Sequence, residues 1–286
     1  MSQEILSQQI DQIIDLALKE DLGDLANIDG DITSNLTIPN NKIIDFIISN
    51  RQPIILCGVD IALKVFNKIK DLQELDLKKH FNDGDHLKAG RVIISGRGNA
   101  KVIFAAERIA LNFMQHLSGI STKTNKFVVQ AQGKSKILDT RKTIPALRNL
   151  QKYAVKVGGG VNHRLALNDG ILIKDNHIAA AGNIKNAVIM IRQSLKKGML
   201  IEVECDNLAQ VKEALEVGVD IIMLDNMNLE QIKEAVKLIK GRAKIEVSGG
   251  ITLEKVKEIS NVGVDFISVG ALTHSVEAVD IGLDIV

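Results

Sequence analysis

The sequence has no tryptophan, a single tyrosine (Tyr153) and seven phenylalanines. A core built without aromatics must be filled by Ile, Leu, Val and Ala, the palette of a parallel sheet buried on both faces. Cysteine is nearly missing as well. Cys57 and Cys205 stand far apart, so there is no CxxC or Cys/His spacing for a structural zinc, and a reduced, cytoplasmic compartment is expected. No charge sign dominates: 36 basic against 35 acidic residues give a formal net charge of +1. That balance excludes a nucleic-acid footprint and a polybasic membrane anchor, while leaving room for a local cationic pocket. No run approaches the ~20 apolar residues a membrane helix needs. The start, Ser2-Gln3-Glu4, lacks the basic opening and apolar centre of a signal peptide. What remains is an ordinary soluble composition, in a chain whose 286 residues suit about two domains.

The first hundred residues read as mixed α and β. A helix is expected from Ser2 to about Lys19, with Leu6, Ile10, Ile13 and Ala17 at helical spacing. Strands are expected at Ile43–Ser49 and Val92–Gly96, and helices at Asp60–Ile69 and Ala100–Leu117. After Gly119 the pattern changes. Short apolar runs at Lys136–Leu138, Ile171–Ile173, Leu200–Val203, Ile221–Leu224, Ile245–Val247 and Phe266–Val269 alternate with helical stretches. The later ones recur at about 21–23 residues, a compact βα unit. Gly218-Val219-Asp220 and Gly263-Val264-Asp265 repeat one device, a glycine ending a helix and an aspartate entering a strand. Asn228 and Gln231 are placed to cap a helix start. Six such strands imply a parallel sheet, and a row of chemistry-bearing residues at their C-terminal ends favours closure into an α/β barrel. An open dinucleotide-binding sheet would need a GxGxxG after a strand, which is absent.

The strand-end residues fall into three kinds. Arg141, Lys142, His163, Arg164 and Lys174 are cationic and suit an anionic substrate, since guanidinium forks grip carboxylates with paired hydrogen bonds. Glu204 and Asp225 follow apolar runs directly; carboxylates there can hold Mg²⁺ on a diphosphate or bind ribose hydroxyls. Ser248-Gly249-Gly250 and Gly270-Ala271 end the last two strands, where barrels commonly bind a phosphate through backbone N–H groups, with His274 and Ser275 as further donors. His80, His86, His116 and Cys205 are read as structural.

These residues, taken in order, resemble the motifs of the quinolinate phosphoribosyltransferase family. The resemblance rests on Asp139-Thr140-Arg141-Lys142-Thr143, on Gly158 to Arg164, on Leu172 to His177, on Glu202-Val203-Glu204, on Met223 to Asn226, on Ser248 to Ile251 and on Ser268 to His274. Earlier stretches match too: Glu20 to Gly23 with Gly30 to Ser34, and Glu107-Arg108 through Ile120. It implies an α/β fold with an N-terminal α/β sandwich domain (1–118), an incomplete barrel of fewer than eight strands (119–273), and a C-terminal segment (274–286) packing back on the first domain. It implies quinolinate and phosphoribosyl pyrophosphate as substrates, Mg²⁺ as cofactor, and a homodimer whose shared sites receive Arg108 from the neighbour. By the same resemblance Arg108, Arg141, His163, Arg164 and Lys174 bind quinolinate, with Thr140 beside them. Lys142, Glu204 and Asp225 serve as catalytic groups on phosphoribosyl pyrophosphate, the two acids as metal ligands, while Ser248, Gly249, Gly250, Gly270, Ala271 and His274 surround a phosphate. Three departures stand out: a lengthened loop at Asp24–Asp29, Ala146 where glycine is expected after a proline, and Val247 in place of alanine. A relative acting on another heterocyclic acid, and a silent ligand-binding protein on the same scaffold, are the alternatives.

Overall fold

A computed structural model describes residues 3–23, 30–70, 75–194 and 198–286; the lengthened stretch 24–29 lies outside them. The first half runs α1 (Gln3–Leu22), α2 (Ile32–Thr37), β1 (Ile43–Asn50), β2 (Ile54–Ile55), α3 (Val59–Lys70), β3 (Leu75–Lys79), β4 (His86–Leu87), β5 (Val92–Asn99) and α4 (Ala100–Ala131). The second runs β6 (Lys136–Leu138), α5 (Arg148–Val157), β7 (Ile171–Ile173), α6 (Asp175–Ala181), α7 (Ile184–Ser194), β8 (Ile201–Cys205), α8 (Leu208–Glu216), β9 (Ile221–Asp225), α9 (Leu229–Ile239), β10 (Lys244–Ser248), α10 (Leu253–Asn261), β11 (Phe266–Ser268), α11 (Ala271–His274) and β12 (Ile281–Ile285). Among the described residues no helix is long and apolar enough to cross a membrane.

The chain forms two compact units. One holds Met1–Lys123, Ile144–Gly158 and Val276–Val286; the other holds Thr124–Thr143 and Gly159–Ser275. The first is built on an antiparallel sheet of order β12-β1-β5-β3. Strand period places Ile44, Phe46, Ile48 and Asn50 of β1 on one buried face, where Phe46 stacks on Phe66 of α3 at 5.7 Å. The final segment belongs to this unit because β12 adds to β1, and the Val279 N–H donates to the Gln115 carbonyl.

Three expectations change here. The buried stripe of α1 is Ile14, Leu18 and Leu22, rotated from the expected one, because Asp11 and Asp15 on the neighbouring flank pair with Lys64 and Lys68 of α3. Helix α4 does not stop near Leu117 but runs through Gly119 to Ala131. That glycine serves close approach, since an added Cβ would lie 2.3 Å from the Glu277 carbonyl oxygen. Residues 144–158, expected in the barrel, cluster with the first unit. Gln151 of α5 bonds His116 at 2.8 Å and Tyr153 donates to Asp83 at 2.8 Å, partners that local sequence does not reveal.

The second unit carries six parallel strands in the order β6-β11-β10-β9-β8-β7. From β7 to β11 consecutive strands neighbour one another, and β6, the first, pairs with β11, the last. That is the winding of a barrel and not of an open doubly wound sheet. The gap lies between β6 and β7, and the β6 edge carries only a single bridge, Leu138 to Val161. The repeated Gly-Val-Asp device acts as a register clamp. Asp220 accepts the Ile201 N–H at 2.7 Å and Asp265 accepts the Ile245 N–H at 2.9 Å, each fixing the start of an adjacent strand. Asn228 and Gln231 form the reciprocal cap of α9.

Register decides which side chains face inward. Leu172 pairs with Glu202, Glu204 with Met223, Met223 with Glu246, Asp225 with Ser248, and Glu246 with Phe266. Parallel partners point the same way and side chains alternate. Lys174, Glu202, Glu204, Asp225, Glu246, Ser248 and Ser268 therefore share one face.

Candidate active site

A cavity of about 740 Å³ opens from that face at the C-terminal ends of the strands. Thr140, Arg141 and Lys142 reach it from the turn after β6, and His163 and Arg164 from the loop before β7. Lys174 comes from the end of β7, Glu204 from β8 and Asp225 from β9. Ser248, Gly249 and Gly250 follow β10, while Gly270, Ala271 and His274 follow β11. The β6 turn is fixed locally. Thr140 Oγ1 accepts the Lys142 N–H at 3.1 Å, and Thr273 Oγ1 donates to the Lys142 carbonyl at 2.8 Å.

The cations differ in how they are held. Arg141 keeps its Nε buried and, among the described residues, without a hydrogen-bond partner. Arg164 donates from Nη1 to the Gly170 carbonyl at 3.0 Å. Burial and then the nearby Arg141 charge lower its affinity for its proton, and Glu202 opposes them. Two guanidiniums close enough to repel make a site for an anion. Lys174 is ion-paired with Glu204, the lysine 43% and the glutamate 10% exposed.

His163, expected to bind substrate, lines the cavity and also faces buried carboxylates. Its Nδ1 accepts the Arg164 N–H at 2.7 Å, so the ring proton sits on Nε2, which faces Glu202 at 3.1 Å and Glu246 at 3.6 Å. Its own N–H donates to buried Asp139 at 3.0 Å. Ser268 completes the row, donating to Glu246 at 2.5 Å. Burial first, and then the neighbouring Glu202 carboxylate, push the Glu246 carboxyl up to about 8, with His163 and the Ser268 hydrogen bond pulling the other way.

The other carboxylate cluster is open. Oxygens of Glu204, Asp206 and Asp225 lie within 4.8 Å of one another, with Asp206 exposed and Asp225 half-buried. All-oxygen donors at a wet mouth suit a hard divalent cation that keeps part of its water shell. Two glycines shape the far end. Gly249 has φ +89°, and a Cβ there would fall 2.2 Å from Asn226 Oδ1. At Gly270 a Cβ would press on Lys142 and His274 at 3.1–3.2 Å, so glycine lets both close around the end of β11. Cys205 is walled in, its thiol pushed up to about 12 by burial and nearby carboxylates, which suits packing.

The chain as a whole is similar to known proteins. The profile described as quinolinate phosphoribosyl transferase, N-terminal domain, covers residues 31–118, and that of the C-terminal domain covers residues 120–284. The chain belongs to the quinolinate phosphoribosyltransferase family. It is 45% identical over 267 residues to the probable nicotinate-nucleotide pyrophosphorylase (carboxylating) of Methanocaldococcus jannaschii, spanning 90% of this chain and 92% of that one. Its fold is similar to the crystal structure of nicotinate-nucleotide pyrophosphorylase from Ehrlichia chaffeensis, with a TM-score of 0.91, 44% identity, and coverage of 96% and 98% of the two chains. For the nicotinate-nucleotide pyrophosphorylase of Francisella tularensis the TM-score is 0.90 at 40% identity, covering 98% of this chain and 96% of that one.

Against the family's motif set, one residue stands apart. Arg108 lies on α4 in the first unit and lines a separate cavity of about 260 Å³ with Glu20, Asp21, Asn112 and His116. The sequence reading also missed groups. Glu202 and Ser268 stand inside the motifs quoted above without an assigned role, and Glu246 was not marked, because all three interrupt strands that are buried on both faces, where polar alternation is hard to see. The available signal was spacing: each stands two residues before a recognised site residue, Glu204, Ser248 or Gly270, and so on the same face. Asp206, adjacent to the acids, carried no motif of its own.

Proposed function

We infer that this protein joins quinolinate to phosphoribosyl pyrophosphate, releasing pyrophosphate and carbon dioxide to give nicotinate mononucleotide for NAD biosynthesis. The observation that carries this reading is one cavity holding Arg141, Arg164 and Lys174 beside Glu204 and Asp225 and a glycine-lined end. Arg141 and Arg164 grip the two ring carboxylates, and the unpartnered Arg141 Nε is the donor that such an anion would satisfy. Holding the pyridine nitrogen in line with the anomeric carbon supplies much of the rate, because orientation converts an encounter into a unimolecular step. The nitrogen lone pair forms the new bond as the bond to pyrophosphate breaks. Positive charge growing on the ribose ring is stabilised by Glu204, whose acceptor oxygens are fixed on β8. The resulting pyridinium accepts the electron pair of the breaking carbon–carbon bond at the adjacent ring carbon, so that its carboxylate leaves as carbon dioxide and that carbon takes up a proton from solvent. Lys142 and the Ser248–Gly250 and Gly270–His274 ends receive the phosphates.

Glu204, Asp225 and Asp206 are the residues that would hold Mg²⁺, which when bound neutralises charge on the departing diphosphate. The active form is a cytoplasmic homodimer in which Arg108 of the partner subunit completes the dianion clamp. This reading rests on the resemblance to the family's motif at Glu107-Arg108. Incubating the protein with quinolinate, phosphoribosyl pyrophosphate and Mg²⁺ should release carbon dioxide and pyrophosphate in equal amounts. Release from nicotinate instead, or ligand binding without turnover, would transfer the protein to one of the alternatives.

A further inference from the structure

We propose that Lys174 is a shared counter-ion that couples the two substrates, leaving Glu204 for a carboxylate of the diacid and thereby readying Glu204 for the ribosyl pyrophosphate. The proposal rests on the site assignments above. Register places the pair: Leu172 stands opposite Glu202, so Lys174 stands opposite Glu204 at the mouth of the barrel. The lysine ammonium bonds Glu204 Oε2.

The two partners are not equally free to move. Glu204 is 10% exposed and is the next-to-last residue of β8, registered against Met223 of β9, so its backbone is fixed by the sheet. Lys174 is 43% exposed, and its backbone is anchored by the N–H bond to His177 Nδ1 at 2.9 Å, so only the flexible side chain need swing. An arriving aromatic diacid brings two negative charges to a wall on which Arg141 and Arg164 already repel one another. A third cation drawn toward that anion improves the balance. Glu204 is then a nearly buried carboxylate without a counter-charge, a state that proteins do not leave uncompensated. It recovers a partner when the ribosyl pyrophosphate arrives with its ribose hydroxyls and its cation. Each substrate therefore favours the other, and linkage requires the effect to be mutual. No residue outside the cavity is needed to carry the message, because one ammonium group is common to both subsites.

The test uses titration calorimetry on the intact protein, with benzene-1,2-dicarboxylate as a diacid that lacks the attacking nitrogen, and phosphoribosyl pyrophosphate supplied with Mg²⁺. In wild type, saturating diacid should tighten phosphoribosyl pyrophosphate binding roughly tenfold. In Lys174→Met the diacid should bind more weakly, phosphoribosyl pyrophosphate alone should bind more tightly than in wild type, and the coupling factor should fall to about one. In Glu204→Gln, which frees the lysine, the diacid should bind more tightly, phosphoribosyl pyrophosphate more weakly, and the coupling should again vanish. Opposite shifts in the two variants are something loss of structure does not produce, and either variant suffices if the other fails to fold. Absence of coupling in wild type, its persistence in a variant, or weakened phosphoribosyl pyrophosphate binding in Lys174→Met overturns the exchange. If Lys174→Met leaves diacid affinity unchanged and Glu204→Gln leaves phosphoribosyl pyrophosphate affinity unchanged, the site assignments themselves fall.

Discussion

Replacing Glu246 with glutamine should make the protein less sensitive to alkaline pH. Glu246 is 1% exposed, sits between Glu202 on β8 and Ser268 on β11, and faces the His163 ring. Its folded carboxyl is raised from 4.5 to about 8, chiefly by burial and then by Glu202. The sign follows directly. Between those two values the folded chain holds a proton that the unfolded chain has released, so stability falls as pH rises through the window and levels off above it. One pKa unit corresponds to about 1.4 kcal/mol, which sets a ceiling of roughly 4–5 kcal/mol; relaxation within the coupled pair brings the expected loss to ~2 kcal/mol. Glutamine keeps an acceptor for Ser268 and a donor toward Glu202, reproducing the protonated acid at nearly the same volume. The variant should match wild type in urea denaturation near pH 5 and exceed it by ~2 kcal/mol near pH 8.5. Equal stabilities at both pH values would show that Glu246 ionises without penalty, and the account of the buried row would be wrong.

Arg141→Ala removes a charge-assisted fork worth about 1.5–3 kcal/mol, so KM for quinolinate should rise roughly 10–150-fold with a smaller change for phosphoribosyl pyrophosphate. An unchanged KM takes Arg141 out of the pocket. Ala146 has φ +66°; left-handed strain of about 1–2 kcal/mol, less the extra chain entropy of glycine, predicts that Ala146→Gly stabilises the fold by ~0.5–1 kcal/mol. A less stable variant in denaturant titration contradicts this. If sites are shared, Arg108→Ala and Lys142→Ala chains are each inactive alone. Co-refolded in equal amounts they should recover roughly a quarter of wild-type activity, since half of the dimers then carry one intact site. No recovery in a demonstrably mixed dimer argues against sharing.

The sequence by itself determined the strand runs, because apolar β-rich segments bounded by glycine and aspartate leave few other ways to bury themselves. The second Gly-Val-Asp repeat is the clearest case, since Asp220 and Asp265 clamp neighbouring strands through local chemistry. Sequence also marked Arg141, Lys174, Glu204 and Gly249 as strand-end groups, because placing function there needs only the end of an apolar run. The departure at Ala146 was visible only against the family resemblance, and the structure supplies its reason, a left-handed backbone at φ +66°.

Tertiary structure alone decided which partners those residues meet. It set His163 against Glu202 and Glu246, paired Lys174 with Glu204, carried α4 through Gly119, and drew residues 144–158 into the first unit. Each outcome depends on a group distant in sequence. In a barrel whose strands are covered on both sides, hydrophobicity no longer distinguishes the inner face from the outer. Only the register between strands restores that distinction, and register is a property of the assembled sheet.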